Sequence, residues 1–545
     1  MTSINTINPF KPQNKALNKE TELGIFYTND SHGDIYRLGK FKTAHDEFKS
    51  ANKNIANMTL SGGDSIFSSD SKLSKLLVKV FNAIHLDALA LGNHEFSAGS
   101  KTLNETLKDA DFKAVSSNLN ITENNPLQES IKNKKLVKSA VFMKNGHKFA
   151  VIGASPIDSY IGKAEKNIKP MDMDKTIKAI NTEAKKLEEQ GINKIILCSH
   201  LGYGEKGDLE VARKTEGIDI IVGGHTHTLI DGVNTKTTDK THRLNLLSSK
   251  RNEPVIITQA GGLNEHAGYL NVVFDEKGVI NTEKIQNKVV KLDDFNNSSY
   301  VSKLMNNILG KKEVLAKVKN PYNPKNSYEE RYLENPIANY FADAILDYAD
   351  KSGKKADVSL FQAAGIRGGA GSEITNYDIK YRMLPFNNEI KIIDMTEKDF
   401  VNVVNNMTGS LLKSRKDPQV LRCSGMNYSI HNDVEFAKSG KENALINMQI
   451  GNRNIDVENP DENKTIRVAV NSYLFSHDLV KDIFSKYKDN AQSLAKEQDI
   501  FIDYLKNHKE LDCSTDKPKR VNLTHQYSSL KELHEYRDKV IEELS

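Results

Sequence analysis

From about residue 23 onward, short apolar runs alternate with longer polar-amphipathic segments. "LGIFYTND", "MTLSGGD", "DALALGNHE", "FAVIGAS", "KIILCSH" and "IDIIVGGH" are short apolar runs that read as strands, the last with the β-branched character of one buried on both faces, and "VIITQAGG" and "YLNVVFD" follow them. Between the runs, "SKLSKLLVKVFNAI" and "DKTIKAINTEAKKLEEQG" are helical stretches. Strands interleaved with helices predict an α/β layered fold, whose ligands gather at the carboxyl ends of the strands. In "SSYVSKLMNNILGKKEVLAKV", Val301, Leu304, Met305, Ile308 and Leu309 share one helical stripe, and the following "KNPYNPKNSYEE" is rich in proline and asparagine. This pair reads as a connecting helix and linker over residues 296–330, between a first α/β domain at 23–295 and a second at 331–510. A polar segment, 1–22, precedes them. The tail, 511–545, is polar and ends in "LKELHEYRDKVIEEL", which has the periodicity of a surface or docking helix.

Five runs of the first domain end on side chains that can hold a metal. "YTNDSHGD" supplies Asp30 and His32, "LSGGDSIFS" Asp64, "LGNHEF" Asn93 and His94, "LCSHLG" His200, and "GGHTHT" His225 and His227. Asp30 with His32, and His225 with His227, stand at i and i+2, so each pair can face one object from an extended segment. Clustered carboxylates and imidazoles at one sheet edge need a positive charge to neutralise and orient them. Asp30, His32, Asp64, Asn93, His200, His225 and His227 are more ligands than one ion takes while keeping an open position. Two ions bridged by Asp64 is the economical arrangement. No thiolate is in the set, so two divalent ions of the Mn²⁺, Zn²⁺ or Fe²⁺ type fit the nitrogen and oxygen donors. About 3.5–4 Å apart, such ions lower the pKa of a water and hold both oxygens of an in-line displacement.

Composition narrows the classes. At 545 residues, 38% hydrophobic and 27% charged, the chain can build more than one core. Its net charge of +4 comes without a basic block, which gives nucleic-acid binding no support. No stretch is long and apolar enough to span a bilayer, and "MTSINTINPFKPQNKALNKE" lacks the apolar centre of a secretory signal. Cys198, Cys423 and Cys513 do not make a disulfide framework. A cytoplasmic setting is expected for the chain as it stands, and a periplasmic or secreted one if a signal peptide has been removed.

The order DxH, GD, GNHE, SH, GHxH resembles the signature of the calcineurin-like metallophosphoesterases. "TNDSHG", "GNHEF", "SHLG" and "GGHTHT" are similar to the 5′-nucleotidase branch, which includes UDP-sugar hydrolases and 2′,3′-cyclic-nucleotide phosphodiesterases. The resemblance spans about residues 23–480. It implies a four-layer αββα metal domain and a C-terminal α/β domain that carries substrate selectivity. It also implies that Asp30, His32, Asp64 and His227 hold one metal, that Asp64, Asn93, His200 and His225 hold the other, and that His94 approaches the phosphate. The implied activity is release of phosphate from a nucleotide by a metal-activated hydroxide. Nucleotide-sugar or cyclic-nucleotide hydrolysis, and a non-catalytic binding role, are the alternatives. In the second domain "FQAAGIRGG" resembles the family's "NGGGIR" turn, which assigns Arg367 to the substrate phosphate, and "LPFNNEI" resembles a nearby loop, with Asn387 and Asn388 as polar contacts.

Three positions depart from the family pattern. Ser97 stands where an aspartate usually pairs with the histidine of NHEF. Val420, and Leu479 or Val480, stand where two aromatic rings usually stack on a nucleotide base. Stacking of that kind is worth roughly 1–3 kcal/mol per base.

Overall fold

The computed structural model describes residues 20–66, 70–157, 161, 167–325, 327–515 and 518–544. Of the polar N-terminal segment, residues 1–19 lie outside the described residues. The chain forms two compact units that divide between Lys311 and Lys312.

The first unit is built on two sheets. One has seven strands in the order Gln286–Lys291, His266–Phe274, Thr21–Thr28, Ala56–Ser61, Ala88–Ala90, Lys113–Val115 and Leu136–Val137. The other has six, in the order Leu246–Ser248, Pro254–Thr258, Ile220–Val222, Ile195–Ser199, His147–Ala154 and Ser139–Lys144. Thr21–Thr28, Ala56–Ser61 and Ala88–Ala90 run parallel, as do Ile195–Ser199, Ile220–Val222 and Pro254–Thr258. Parallel pairing delivers the carboxyl ends of neighbouring strands to the same edge.

The sheets pack face to face. Leu23, Ile25, Met58 and Val115 from one sheet share a core with Phe149, Val151, Ile196 and Val222 from the other. Strands buried on both faces need apolar side chains at successive positions, which is why these runs read as near-continuous hydrophobic stretches. Helix Leu38–Ala51 covers the outer face of the seven-stranded sheet. Its Phe48 stacks on Tyr269 with ring centroids 5.5 Å apart, and its Phe41 lies 5.2 Å from Phe26. Helices Met173–Glu188 and Asp208–Lys214 cover the other sheet through Ile177, Ile180, Leu187 and Val211 against Ile152, Leu197 and Ile221. These four layers are the αββα sandwich that the motif resemblance implies. Helix Ser299–Leu309 packs on helices Leu38–Ala51 and Ser71–Ala83 and buries Val301 and Leu309, so it is part of the first unit.

The second unit centres on a five-stranded sheet ordered Leu421–Ser424, Val358–Gln362, Thr465–Asn471, Glu389–Thr396 and Gln492–Lys496. Helix Pro336–Lys351 starts at Asn335, whose side chain accepts from the N–H groups of Ile337 and Ala338, with proline at the first helical position. Its Phe341 packs on Phe361 and Phe501. The tail adds strands to two smaller sheets, Glu510–Asp512 beside Val314–Lys319 and Val521–Leu523 beside Met426–Ile430. The terminal helix Leu530–Leu544 then buries Leu533 and Val540 in the core that holds Tyr328, Tyr332 and Tyr527. Among the described residues, no helix is long and apolar enough to cross a membrane.

Candidate metal centre

Asp30, His32, Asp64, Asn93, His94, His200, His225 and His227 all follow strand ends of the two sheets and converge in the first unit. Asp30, His32 and His227 offer ligand atoms within 4.8 Å of one another, and so do His32, Asp64 and His94, and Asp30, Asp64 and His200. His32 Nε2 and His227 Nε2 are 2.9 Å apart, and His227 Nε2 is 3.4 Å from Asp30 Oδ1. His225 Nδ1 lies 3.2 Å from Asn93 Oδ1, and its ring centroid is 5.1 Å from that of His200. All seven expected ligands therefore gather at one edge, with the Asp30 and Asp64 carboxylates shared between the groups. His94 comes as close as the ligands do, its ring 4.7 Å from that of His32.

The backbone is bent to achieve this. Asp30, His32, Asp64, His225 and His227 all have positive φ, between 47° and 76°. A non-glycine residue held in the left-handed region costs on the order of 1–3 kcal/mol, and such residues concentrate at functional sites. Backbone bonds hold the bends in place: Asp30 N–H donates to the Gly63 carbonyl (2.8 Å), and His32 N–H to the Asp64 carbonyl (3.0 Å). A methyl group on Gly92 would sit 2.2 Å from Asp64 Oδ1 and 2.8 Å from His200 Nε2, so only glycine leaves room for these ligands.

His200 tests whether the donor set fits a cation. Its Nδ1 is 2.7 Å from the Gly62 carbonyl, which only accepts, so Nδ1 carries a proton. Nε2 is fully buried and makes no hydrogen bond, although Asp64 Oδ2 is 3.1 Å away and Asp30 Oδ1 3.8 Å. In the neutral ring this leaves a lone pair facing two carboxylates, an arrangement that a cation between them resolves. Without one, burial opposes an imidazolium at His200, but Asp64 and Asp30 outweigh it and raise the pKa to about 9. Burial lowers His32 to about 4, with His94 and His227 adding to the fall against the pull of Asp64 and Asp30. The residues fit a pair of divalent ions with nitrogen and oxygen ligands.

Residues 24–229 match the family described as Calcineurin-like phosphoesterase, and residues 314–486 the one described as 5'-nucleotidase, C-terminal domain. Residues 24–229 thus form a calcineurin-like phosphoesterase domain. The chain is 26% identical to the trifunctional nucleotide phosphoesterase protein YfkN of Bacillus subtilis over 534 residues, which are 89% of this chain and 34% of that protein. It thus spans about a third of the length of YfkN. It is 23% identical to the NAD 5'-nucleotidase of Haemophilus influenzae over 592 residues, 93% of this chain and 94% of that protein. Its fold is similar to that of the 5'-nucleotidase precursor from Thermus thermophilus, with a TM-score of 0.63 at 21% identity over 93% of this chain and 100% of that one.

Three residues that support this phosphoesterase centre escape the strand-end motifs. Glu95 is fully buried and accepts from four backbone N–H groups: Asp64 (2.9 Å), Ser65 (2.7 Å), Ile66 (3.0 Å) and Gly92 (2.7 Å). Burial, with Asp64 beside it, pushes this carboxyl up to about 7, against the pull of those donors. Asn29 donates to Asp30 Oδ2 (2.7 Å) and accepts from Ala260 N–H (2.8 Å). Gln259 donates to the Gly224 carbonyl (2.8 Å) and accepts from Thr226 Oγ1 (3.1 Å) and Thr228 N–H, gripping the turn that carries His225 and His227. Gln259 ends the run "VIIT" as the ligands end theirs, so the same strand-end rule could have found it. Gln259→Ala is expected to weaken metal binding about 10- to 100-fold, the usual cost of losing a residue that orients ligands. Competition for metal against a calibrated chelator reads this, and unchanged affinity would remove Gln259 from that role.

In the second unit Arg367 follows a short turn after Val358–Gln362, and its guanidinium lies over the Phe386 ring, 4.7 Å from the centroid. Asn387 Oδ1 accepts from Gln498 N–H (3.1 Å), and Asn388 donates to Glu497 through its backbone (2.8 Å) and side chain (3.3 Å). Both asparagines thus tie their loop to the start of helix Glu497–Asn507. Val420 and Val480 are buried and Leu479 is half-buried, so none of them offers a ring or an open face for a base.

Proposed function

We propose that this chain is a dinuclear-metal phosphoester hydrolase that releases phosphate from nucleotides, as a 5′-nucleotidase does. The observation that carries the reading is His200 Nε2, buried without a hydrogen bond between the carboxylates of Asp64 and Asp30. In this reading Asp30, His32, Asp64 and His227 hold one ion, and Asp64, Asn93, His200 and His225 the other. The ions, of the Mn²⁺, Zn²⁺ or Fe²⁺ type, supply an activated water and positive charge for the phosphoryl oxygens. His94 stands beside this set, where it stabilises the phosphoryl group or protonates the leaving oxygen. Arg367 receives the substrate phosphate through its fork of N–H donors. Asn387 and Asn388 hold the loop that carries Phe386 and contribute polar contacts at its rim. The names of YfkN and the Haemophilus protein support a nucleotide as substrate. The buried Val420 favours a second reading within the same chemistry, a nucleotide sugar or cyclic nucleotide held without base stacking. Cys198, Cys423 and Cys513 are buried free thiols, which suits a cytoplasmic setting for the chain as it stands; a periplasmic or secreted one is the alternative if a signal peptide has been removed.

The test is product release by hydrolysis, read as phosphate from AMP, UMP and p-nitrophenyl phosphate, as UMP and glucose 1-phosphate from UDP-glucose, and as the ring-opened monophosphate from 2′,3′-cyclic AMP, after chelation and after return of Mn²⁺ or Zn²⁺, beside His227→Ala. Metal-dependent release that the variant loses supports the hydrolase and ranks its substrates. No release from any compound by the metal-loaded protein overturns it in favour of a binding role.

Ser97 gives a further prediction. Its Oγ lies 3.4 Å from His94 Nδ1, a position from which a serine can orient the ring but cannot offset a charge on it. Ser97→Asp is expected to raise kcat several-fold on the best substrate of the panel. A kcat that stays level or falls, with metal content unchanged, would show that the serine costs this enzyme nothing.

A further inference from the structure

The loop after strand Pro254–Thr258 lies on the metal centre and carries one residue that its backbone does not favour. Asn29 donates to the Gly261 carbonyl (2.5 Å), and Gly261 N–H donates to the Thr228 carbonyl (3.1 Å). A methyl group on Gly262 would sit 2.7 Å from His227 Nδ1, so the loop passes within contact of that ring. Leu263 N–H donates to the Asp30 carbonyl (2.7 Å), and the buried Asn264 donates from its side chain to the Asp34 carbonyl (3.1 Å). Glu265 N–H closes a turn onto the Gly262 carbonyl (3.1 Å), with positive φ at both central residues, 54° at Leu263 and 49° at Asn264. That is the pattern of a type I′ turn, which asparagine, aspartate and glycine fill readily. Asn264 suits its place. Leu263 does not, because left-handed backbone in a bulky residue is an outlier. Burial does not compensate it fully, since the residue is 49% exposed.

Residues strained in this way cluster at active sites and ligand clamps, where the surroundings hold them for a purpose other than folding. We propose that Leu263 is a specificity-determining residue whose side chain packs against the organic, leaving-group part of a phosphoester held at the metal centre. Its position fits that task. Its own N–H is bonded to Asp30 and its neighbour Gly262 lies on His227, so the side chain starts within one residue of two ligands proposed for the same ion. The carboxylates and imidazoles of the centre deal with metal, water and phosphate, and offer no apolar surface to a sugar or a base. A half-exposed leucine beside them rewards a leaving group that has an apolar face, such as a nucleoside, over a small alcohol. Covering the exposed half of a leucine is worth about 5- to 10-fold in affinity. This inference rests on the hydrolase reading and deepens it: part of the selection for a nucleoside is made in the first unit, without a ring at the positions of Val420 and Leu479.

The experiment compares AMP with methyl phosphate, which has the same phosphate bond to a primary alcohol but no nucleoside, on the full chain loaded with Mn²⁺. Leu263→Gly is expected to lower the ratio of kcat/KM for AMP to that for methyl phosphate about 5-fold, chiefly through KM for AMP, and Leu263→Met to keep most of the wild-type ratio. Glycine takes up the left-handed turn freely, so Leu263→Gly is also expected to unfold at the wild-type temperature or above and to bind metal as before. Leu263→Asn, which tolerates the same backbone, carries the test if the glycine variant does not fold. A ratio within 2-fold of wild type overturns the proposal. So does a fall in the ratio that comes with a lower unfolding temperature and lost metal, which would make Leu263 a packing residue of the loop. If the loaded protein hydrolyses neither ester, the hydrolase reading fails, and titration calorimetry makes the same comparison on binding. Selective weakening of AMP in Leu263→Gly would then keep the role of Leu263, and equal weakening of both esters would remove it as well.

Discussion

Asp64→Asn is expected to lower phosphoester hydrolysis by about 10³-fold while leaving the protein folded. Asp64 is buried, stands 3.1 Å from His200 Nε2, and shares one ligand group with His32 and His94 and another with Asp30 and His200. It is the carboxylate proposed to bridge both ions, so its charge counts twice in binding them. Burial opposes the Asp64 anion, yet His200, His94 and His32 outweigh it and hold its pKa below the usual carboxylate range. Asparagine has nearly the same shape, and its side-chain oxygen can still accept the His94 N–H that Asp64 Oδ1 receives at 2.8 Å. The substitution therefore separates charge from scaffold. A thousandfold loss corresponds to about 4 kcal/mol of transition-state stabilisation, the size expected when a fixed electrostatic group is lost from an active centre. Metal content and kcat/KM measured on the same preparation would decide it. A variant that keeps two metals and stays within tenfold of wild type would show that Asp64 bridges nothing of consequence.

The ligands could be read from the sequence because each closes an apolar run, and parallel strands present their ends together. Asp30, His200 and His225 needed no knowledge of which strands are neighbours. What could not be read depends on contacts between distant segments. Glu95 meets the N–H groups of Ser65 and Ile66 about thirty residues upstream, and Asn29 meets Ala260 across 231 positions. Nothing in "GNHEF" or "YTND" announces those bonds, since a charged or amide side chain at a loop reads as solvated until the fold buries it. The left-handed backbone at Asp30, His32, Asp64, His225 and His227 is hidden for the same reason: propensity disfavours it, and only the surrounding bonds enforce it. The tail reads as polar because its strands Glu510–Asp512 and Val521–Leu523 are short and sit in small sheets. Their apolar contribution is a few residues such as Leu511 and Val521, too few to register as a run.

Glu95→Ala is expected to destabilise the first unit by about 4 kcal/mol and to abolish metal-dependent activity with it. The carboxylate gathers four N–H groups from two loops, one carrying Asp64 and the other beginning at Gly92, just before Asn93 and His94. Glu95 is 0% exposed, so alanine would leave those donors facing a cavity. Each buried donor left unpaired costs about 1–3 kcal/mol. Water entering the space and relaxation of the loops return part of the sum, which brings the expectation to about 4 kcal/mol. Glu95→Gln separates the two consequences: its amide oxygen can still accept from one pair of N–H groups, but its NH₂ faces the other pair donor to donor, so stability falls less while the loop holding Asp64 and His94 shifts. Chemical denaturation followed by a probe confined to the first unit measures the loss, and metal affinity measures the shift. If Glu95→Ala unfolds within 1 kcal/mol of wild type and binds metal normally, the four bonds are replaced by water at no cost, and the rigidity of the centre must come from the strand ends alone.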